Sequence, residues 1–438
     1  MVGSDLFEAL VAETTTLADE FKQAGKTLYL VGGIVRDTLL GRLHADLDID
    51  LTTDAEPDEI EAIVRKSRPL AVWTQGKRFG TVGAMIPGSN GPRAFEITTH
   101  RAEQYQNDSR KPDVRFSTDI TLDLSRRDFT ANAMAYDLHR LALLDPFGGQ
   151  HDLFLRVLRT PLSPEISFSD DPLRMLRAAR FLASLHLHPD PALAEAVHIH
   201  RHRMAIVSGE RIRGELEKLL TLVDPADGVR FLAATALLET FLPEIVPSHI
   251  ERILLRMANV ENEWPIRFAA FVFDAFPSDV TVRQRMRQLK CSGDEESFVM
   301  KLLQLRTVDL QEAGSTDRHA RRFVRRVGDQ RPAFMALMSA DARARSALGD
   351  PTAEATLTDL AALDDRLRSL AGSEPLDDLQ PELSGVDVMA LLGLPPGRHV
   401  GEALRMLLEL RLDEGLVGRA EAGRRLLAWS ELRSTDGP

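Results

Sequence analysis

The sequence predicts an α/β domain up to about residue 150 and an all-helical remainder. Three observations predict it. Apolar and polar residues alternate with a period of two in "DLDIDLT" and "AFEITTH", as strands require. A Gly-Gly turn separates the apolar run "TLYLV" from a short helical stretch, Ile34 to Leu40. After Pro164 nearly every segment reads as helix broken by Pro, Gly or Asp.

Taken in order, "TLYLV" is the first strand and "DLDIDLT" the second. A helix begins near Pro57, with Asp58 and Glu59 in its first turn, where negative charge is favoured. "GTVGAMI" and "AFEITTH" are further strands, the latter setting Phe95, Ile97 and Thr99 against Glu96 and Thr98. "RRDFTANAMAY" has helical composition, and "LALLDP" reads as a last strand. "DPLRMLRAARFLASL", "SGERIRGELEKLLTL", "DGVRFLAATALLETFL" and "HVGEALRMLLELRLDEGL" are helices, and 370 to 383 is the best linker among them.

A chain of 438 residues with 44% hydrophobic and 27% charged content is long enough for several domains. Its single cysteine, Cys291, rules out an internal disulfide framework and suits a reducing cytoplasm. The N-terminal segment is acidic and amphipathic and reads as no signal peptide. No run approaches the roughly 18 apolar residues of a membrane span. A net charge of −12 argues against unspecific coating of nucleic acid while leaving room for local basic surfaces.

Asp46, Asp48 and Asp50 alternate with Leu47 and Ile49, so a strand points all three carboxylates to one face. Like charges so close repel unless a cation lies between them. On the residues alone the strand is either a divalent-metal site of hard oxygen ligands or a solvated acidic edge. Gly32 and Gly33 lie between strand and helix, where missing side chains let backbone N–H groups approach phosphate. Glu96, in another strand, offers a further carboxylate.

"LVGGIVRDTLLG" followed by "DIDLTTDA" resembles the first motif of class II tRNA nucleotidyltransferases, the CCA-adding enzymes and their bacterial poly(A) polymerase relatives. "RRDFTANAMAYD", "DDPLRMLRAARF" and "SGERIRGELEKLL" resemble their next motifs in the same order, and the resemblance covers residues 26 to 222. It implies a DNA polymerase β-like head over 1–150, a helical neck over 151–222, a helical body over 223–370 and a tail over 371–438. By the same resemblance Asp48 and Asp50 hold two Mg²⁺ ions, Glu96 supports them, and Asp46 is an extra carboxylate. Gly32, Gly33, Arg36, Arg127, Asp128 and Asn132 would hold the ribose and triphosphate, with Arg177 and Arg180 beside them. The implied reaction is attack of a tRNA 3′-hydroxyl on the α-phosphate of CTP or ATP. The implied partner is the acceptor half of tRNA.

Asp171 and Arg174, read as helical neighbours at i and i+3, can together present one acceptor–donor edge. Cytosine and adenine match that edge, while uracil and guanine present a carbonyl beside a ring N–H and do not. An ordinary surface ion pair is the plainer reading of the same spacing. The family usually has Glu-Asp where this chain has Asp170 and Asp171. The polar stretch between Glu96 and "RRDFT" carries Arg101, Arg110 and Lys111, either RNA contacts or members of a merely solvated loop, and the resemblance implies that such a loop favours complete CCA addition. Arg321, Arg322, Arg325 and Arg326 recur at helical spacing and form a candidate phosphate-facing surface. His198, His200 and His202 are spaced by two and cannot converge on a metal from a helix. Between 240 and 300 only His249 is present and Phe273 precedes Asp274, so no His-Asp phosphohydrolase is expected. A CC-only enzyme, a poly(A) polymerase, an inactive RNA-binding scaffold and a small-molecule nucleotidyltransferase are the rival readings.

Overall fold

The computed structural model describes residues 2–42, 49–88, 91–101, 116–275, 279–376 and 378–435. They form two compact units, Met1–Pro243 and Glu244–Pro438. The first is built on seven strands: β1 Tyr29–Val31, β2 Ile49–Thr53, β3 Ala71–Trp73, β4 Thr81–Gly88, β5 Gly91–Thr99, β6 Ala135–Asp137 and β7 Ala142–Leu144. Their order in the sheet is β3-β4-β5-β2-β1-β6-β7. β2 and β5 run parallel, and the other neighbouring pairs run antiparallel.

Alternation gives the sheet two unlike faces. Ile49, Leu51, Val82, Ala84, Phe95 and Ile97 point inward. There they meet Leu17 and Phe21 of helix α1 (Val2–Gln23), Ile34 and Val35 of α2 (Gly33–Leu39), and Ile60 and Val64 of α3 (Pro57–Lys66). Helix α3 starts where its sequence says, with Pro57 in the first turn and a reciprocal cap between Glu56 and Glu59. Full burial of each large apolar side chain is worth about 1.5–3 kcal/mol. The other face keeps Asp50 and Glu96 exposed.

The stretch 126–137 departs from its helical expectation. It holds a single 3₁₀ turn, Thr130–Asn132, and then enters the sheet as β6. Two amides that a helix would use are spent elsewhere: Phe129 N–H donates to Asp128 Oδ1, and Thr130 N–H to the Arg159 carbonyl. Phe129 is extended, and Ala135–Asp137 then pairs with both β1 and β7. Phe129, Ala133 and Met134 are nonetheless core, as their composition implies.

Helices α4 (Ile120–Ser125) and α5 (Gly149–Leu155) complete the head, and α6 (Pro164–Asp170) and α7 (Leu173–Leu185) follow. Beyond them lie α8 (Pro191–His200), α9 (Gly209–Leu220) and α10 (Ala226–Ala234). Gly228 lets α10 sit directly on α7, since a Cβ there would lie 2.4 Å from the Ala179 carbonyl oxygen. That contact carries the first compact unit past residue 222 to Pro243.

Among its described residues the second unit has helices as its only regular elements. Its C-terminal portion has a core of its own, including Leu383, Val388, Val400, Leu407 and Leu426. The stretch 370–383 is largely irregular, as a linker would be, and largely exposed, but it is anchored by buried side chains at intervals. Leu376 and Leu379 are buried, and the buried Glu374 carboxylate accepts from Arg321 Nε at 2.7 Å and from Arg411. Arg321 is therefore turned inward and is not part of an RNA-facing surface. Arg322 is tied to Glu409 and Asp413, whereas Arg325 and Arg326 are exposed.

Candidate active site

The floor of the site is set by strand register. Asp50 of β2 stands directly beside Glu96 of the parallel β5, and the buried neighbours of each force both carboxylates outward. They line one cavity with Arg101, Asp123, Arg126 and Arg127. Asp123 is buried and braces two of these groups. Its Oδ1 accepts from the Arg101 backbone N–H at 3.1 Å, and its Oδ2 from Arg127 Nη2 at 3.3 Å. Two facing carboxylates are the hard oxygen donors that Mg²⁺ takes. Among the described residues no three acidic, histidine or cysteine side chains converge on one point. Asp46 and Asp48 lie outside the described residues.

Next to the floor is a second cavity of about 460 Å³, inside the size range of small-ligand pockets. The two share Asp50, Arg126 and Arg127. Gly32 and Gly33 form one edge of it. Gly32 has φ 75°, and a Cβ on it would lie 2.9 Å from Arg127 Nη1, so only glycine suits the turn. Arg36, Arg126, Arg127, Arg174, Arg177, Arg180 and Arg211 face this cavity against three aspartates, Asp50, Asp128 and Asp171. Such an excess of guanidinium groups fits a polyphosphate.

One relay orders these groups. Asp37 takes a bidentate contact from Arg36 at 2.8 Å, and Arg36 Nη1 donates to Asn132 Oδ1 at 2.6 Å. The Asn132 amide donates to Asp128 Oδ1 at 2.9 Å, and Arg177 grips Asp128 Oδ2 at 2.6 and 2.9 Å. Glu215 of α9 then receives Arg177 at 3.3 Å and Arg180 at 2.7 Å. Burial alone would raise the Asp128 carboxyl, but the Arg177 guanidinium and the Asn132 amide hold it below the usual carboxylate range. Arg36, Arg177 and Arg180 all pack on the Phe181 ring, with guanidinium carbons 4.2–5.5 Å from its centroid.

Residues 28–159 match the model of the poly A polymerase head domain. Residues 186–248 match that of a probable RNA- and SrmB-binding site of polymerase A. The fold is similar to the crystal structure of the Bacillus stearothermophilus CCA-adding enzyme in complex with CTP, at 27% identity and TM-score 0.71, over 97% of this chain and 98% of that one. In sequence and in fold the chain is thus similar to CCA-adding enzymes, and over residues 28–159 to the poly A polymerase head domain. The CCA-adding enzyme of Bacillus velezensis is 38% identical over 218 residues, 50% of this chain and 52% of that protein. That of Geobacillus thermodenitrificans is 39% identical over 253 residues, 58% of this chain and 56% of that protein. The chain thus spans about half the length of the curated CCA-adding enzymes it matches.

In this structure Gly32, Gly33, Arg36, Asp50, Arg127, Asp128, Asn132, Asp171, Arg174, Arg177 and Arg180 come together around one cavity. Glu96 and Arg101 line the adjoining one. Arg110 and Lys111 lie outside the described residues. Two local readings are corrected. Asp171 and Arg174 do not share a helix face: Asp170 ends α6, and Asp171 is extended because Pro172 follows it. Asp171 caps α7 through the Leu173 N–H and pairs with Arg211 at 2.7 Å, not with Arg174. Arg174 donates to Ser167 Oγ at 2.9 Å and to the Arg126 carbonyl. Arg127, Asp128 and Asn132 come to the cavity around the 3₁₀ turn rather than from the helix that the composition of "RRDFTANAMAY" suggests.

Sequence reading missed Asp123, Arg211 and Glu215, and left Arg126 unassigned. The i,i+4 spacing of Arg211 and Glu215 in "RIRGE" was the available signal, although the two turn to different partners. His198 Nδ1 lies 3.2 Å from the Thr235 carbonyl and His202 Nδ1 3.2 Å from that of Ile199, so the two have separate backbone partners. Asp274 is engaged by Arg256 and Arg252.

His100 gives the head a pH dependence. It is buried behind the floor, with Nδ1 2.9 Å from Thr52 Oγ1 and no partner on Nε2 among the described residues. Burial lowers its pKa below the ordinary value, so the folded state favours the neutral ring. Its contribution is therefore complete above an unfolded pKa of about 6.5 and is lost as pH falls through the lower folded value. Between pH 7 and 5, wild type should lose more unfolding free energy than His100→Gln, measured by urea denaturation. Parallel curves would refute this.

Proposed function

We propose that the chain is a template-independent nucleotidyltransferase that builds or repairs the CCA end of tRNA from CTP and ATP, in a reducing cytoplasm. The observation that carries this reading is the Asp50–Glu96 pair standing in register beside an arginine-lined cavity. Asp50, with Asp48, would hold Mg²⁺. The bound ions would lower the pKa of the acceptor hydroxyl and neutralise charge developing on the α-phosphate.

The chain's own groups do the rest. Arg126, Arg127, Arg177 and Arg180 bind the triphosphate and orient the α-phosphate toward the floor, and Asn132 and Asp128 fix the ribose. Glu96 stands on the acceptor side, where it receives the hydroxyl proton or orients the hydroxyl. Asp171 and Arg174 line the same cavity from separate backbone positions, and would read the base edge that cytosine and adenine share. Mispaired polar groups would reject uracil and guanine by up to ~10⁴-fold. The acceptor 3′-oxygen forms the new bond as pyrophosphate leaves. Residues 1–150 act as head, 151–222 as neck, 223–370 as body and 371–438 as tail. Arg325, with Arg326 beside it, is the favoured phosphate contact of the arginine stripe, because these two are exposed whereas Arg321 and Arg322 are not.

A gel assay with Mg²⁺ and a tRNA transcript lacking its CCA end tests this. Two additions with CTP and three with all four triphosphates are expected. A stop at two would make the protein a CC-adding enzyme, and a long ATP ladder on any RNA would make it a poly(A) polymerase. No extension would overturn the reading.

A further inference from the structure

Four adjacent strands carry one row of facing residues across the open side of the sheet. Asp50 is in register with Glu96, Glu96 with Gly83, and Gly83 with Trp73. Residues directly opposite one another share a sheet face. The row therefore sets an indole on the same face as the two carboxylates. Gly83 makes this possible. A Cβ there would lie 1.9 Å from Trp73 Nε1 and 2.0 Å from its Cε2, so the ring fills the space a side chain would take. Gly83 is buried beneath it, and Trp73 is half-buried. Strands lie about 4.8 Å apart, so the indole covers the strand next to the one carrying Glu96.

The arginine-lined cavity lies toward the opposite end of this row. Gly32 and Gly33 follow β1, Asn132 precedes β6, and both strands lie beyond β2 from β5. An in-line displacement brings the attacking hydroxyl from the side opposite the leaving pyrophosphate. With the triphosphate on the β1 side, the acceptor must enter over β5, β4 and β3. Arg101 stands there too: its Nη2 donates to the Phe79 carbonyl and lies 3.3 Å from Thr81 Oγ1. Thr81 faces Thr98, two residues along β5 from Glu96.

We propose that Trp73 is a stacking platform for the 3′-terminal base of the RNA acceptor, with Arg101 beside it for the adjoining phosphate. This rests on the nucleotidyl-transfer reading above. A π face suits this acceptor because stacking tolerates every base, and the terminal base changes with each addition. Edge recognition belongs instead to the incoming nucleotide, at Asp171 and Arg174.

The test compares wild type, Trp73→Ala, Trp73→Phe and Gly83→Ala on an RNA minihelix lacking CCA. It measures kcat/KM for the acceptor, KM for CTP, and the thermal midpoint. Trp73→Ala is expected to lower acceptor kcat/KM about ten-fold, the scale of one lost base stack, with KM for CTP and the thermal midpoint unchanged. Trp73→Phe should restore most of the loss, and Gly83→Ala, which displaces the ring, should reproduce it. Unchanged acceptor kinetics in Trp73→Ala, an equal rise in KM for CTP, or failure of Trp73→Phe to recover would overturn the platform. In each case active wild type leaves nucleotidyl transfer standing. Inactive wild type would instead overturn the transfer reading itself, and the platform with it.

Discussion

Asp50→Asn is expected to leave nucleotide bound and nearly abolish transfer. Asp50 is exposed on the floor, in register with Glu96, so the amide fits without disturbing the buried Ile49 and Leu51 on either side. It removes one negative charge from the point where the proposed metal ions would sit. Stabilisation of transition-state charge by such ions is worth several kcal/mol, so single-turnover transfer should fall by about 10³-fold or more. CTP affinity should change far less, because the arginines of the neighbouring cavity remain. Glu96→Gln should cost less, since the exposed glutamate supports the site from the adjoining strand. Transfer within ten-fold of wild type in Asp50→Asn would remove Asp50 from the chemistry.

Glu374→Ala should be the most destabilising single change in the second unit. Glu374 is the one carboxylate among the described residues that contacts both Arg321 and Arg411, and all three side chains are at most 8% exposed. Its loss leaves two buried guanidinium groups without their counter-charge, and Arg411 Nη2 already has no partner among the described residues. Breaking a buried ion pair by removing one partner costs about 3–5 kcal/mol. For a unit of this size that lowers the thermal midpoint by roughly 10 °C. Arg322→Ala makes the contrast. Its partner Glu409 is exposed and Asp413 is partly so, and such solvated pairs contribute about 0–1 kcal/mol. Scanning calorimetry of the full chain distinguishes the two. Equal midpoints would show that the buried triad holds nothing.

The sequence carried the floor of the site plainly, because alternation alone decides which way Asp50 and Glu96 point. It did not carry their register, since the parallel partner of β2 is β5, 46 residues away. The short-range expectations that failed did so for nameable reasons. Ala- and Met-rich composition suggested a helix over 126–137, but the carboxylate of Asp128 and the carbonyl of Arg159 take the amides it needed. Asp171 precedes a proline, a local signal against helix that outweighs the attractive i,i+3 spacing. Arg321 looked solvent-facing with the rest of its stripe because its counter-ion, Glu374, arrives from a segment 53 residues on. In each long-range case tertiary partners settled what periodicity left open.

The indole lying over Gly83 also constrains how this edge of the sheet can change by descent. With Trp73 in place, any side chain at 83 puts a Cβ into the ring, so position 83 is frozen first. With Trp73 replaced by a small residue, glycine becomes merely tolerated, and a strand interior gains from almost any substitution there. The two positions therefore exchange in a fixed order: the ring must leave before the glycine, and the glycine must arrive before the ring.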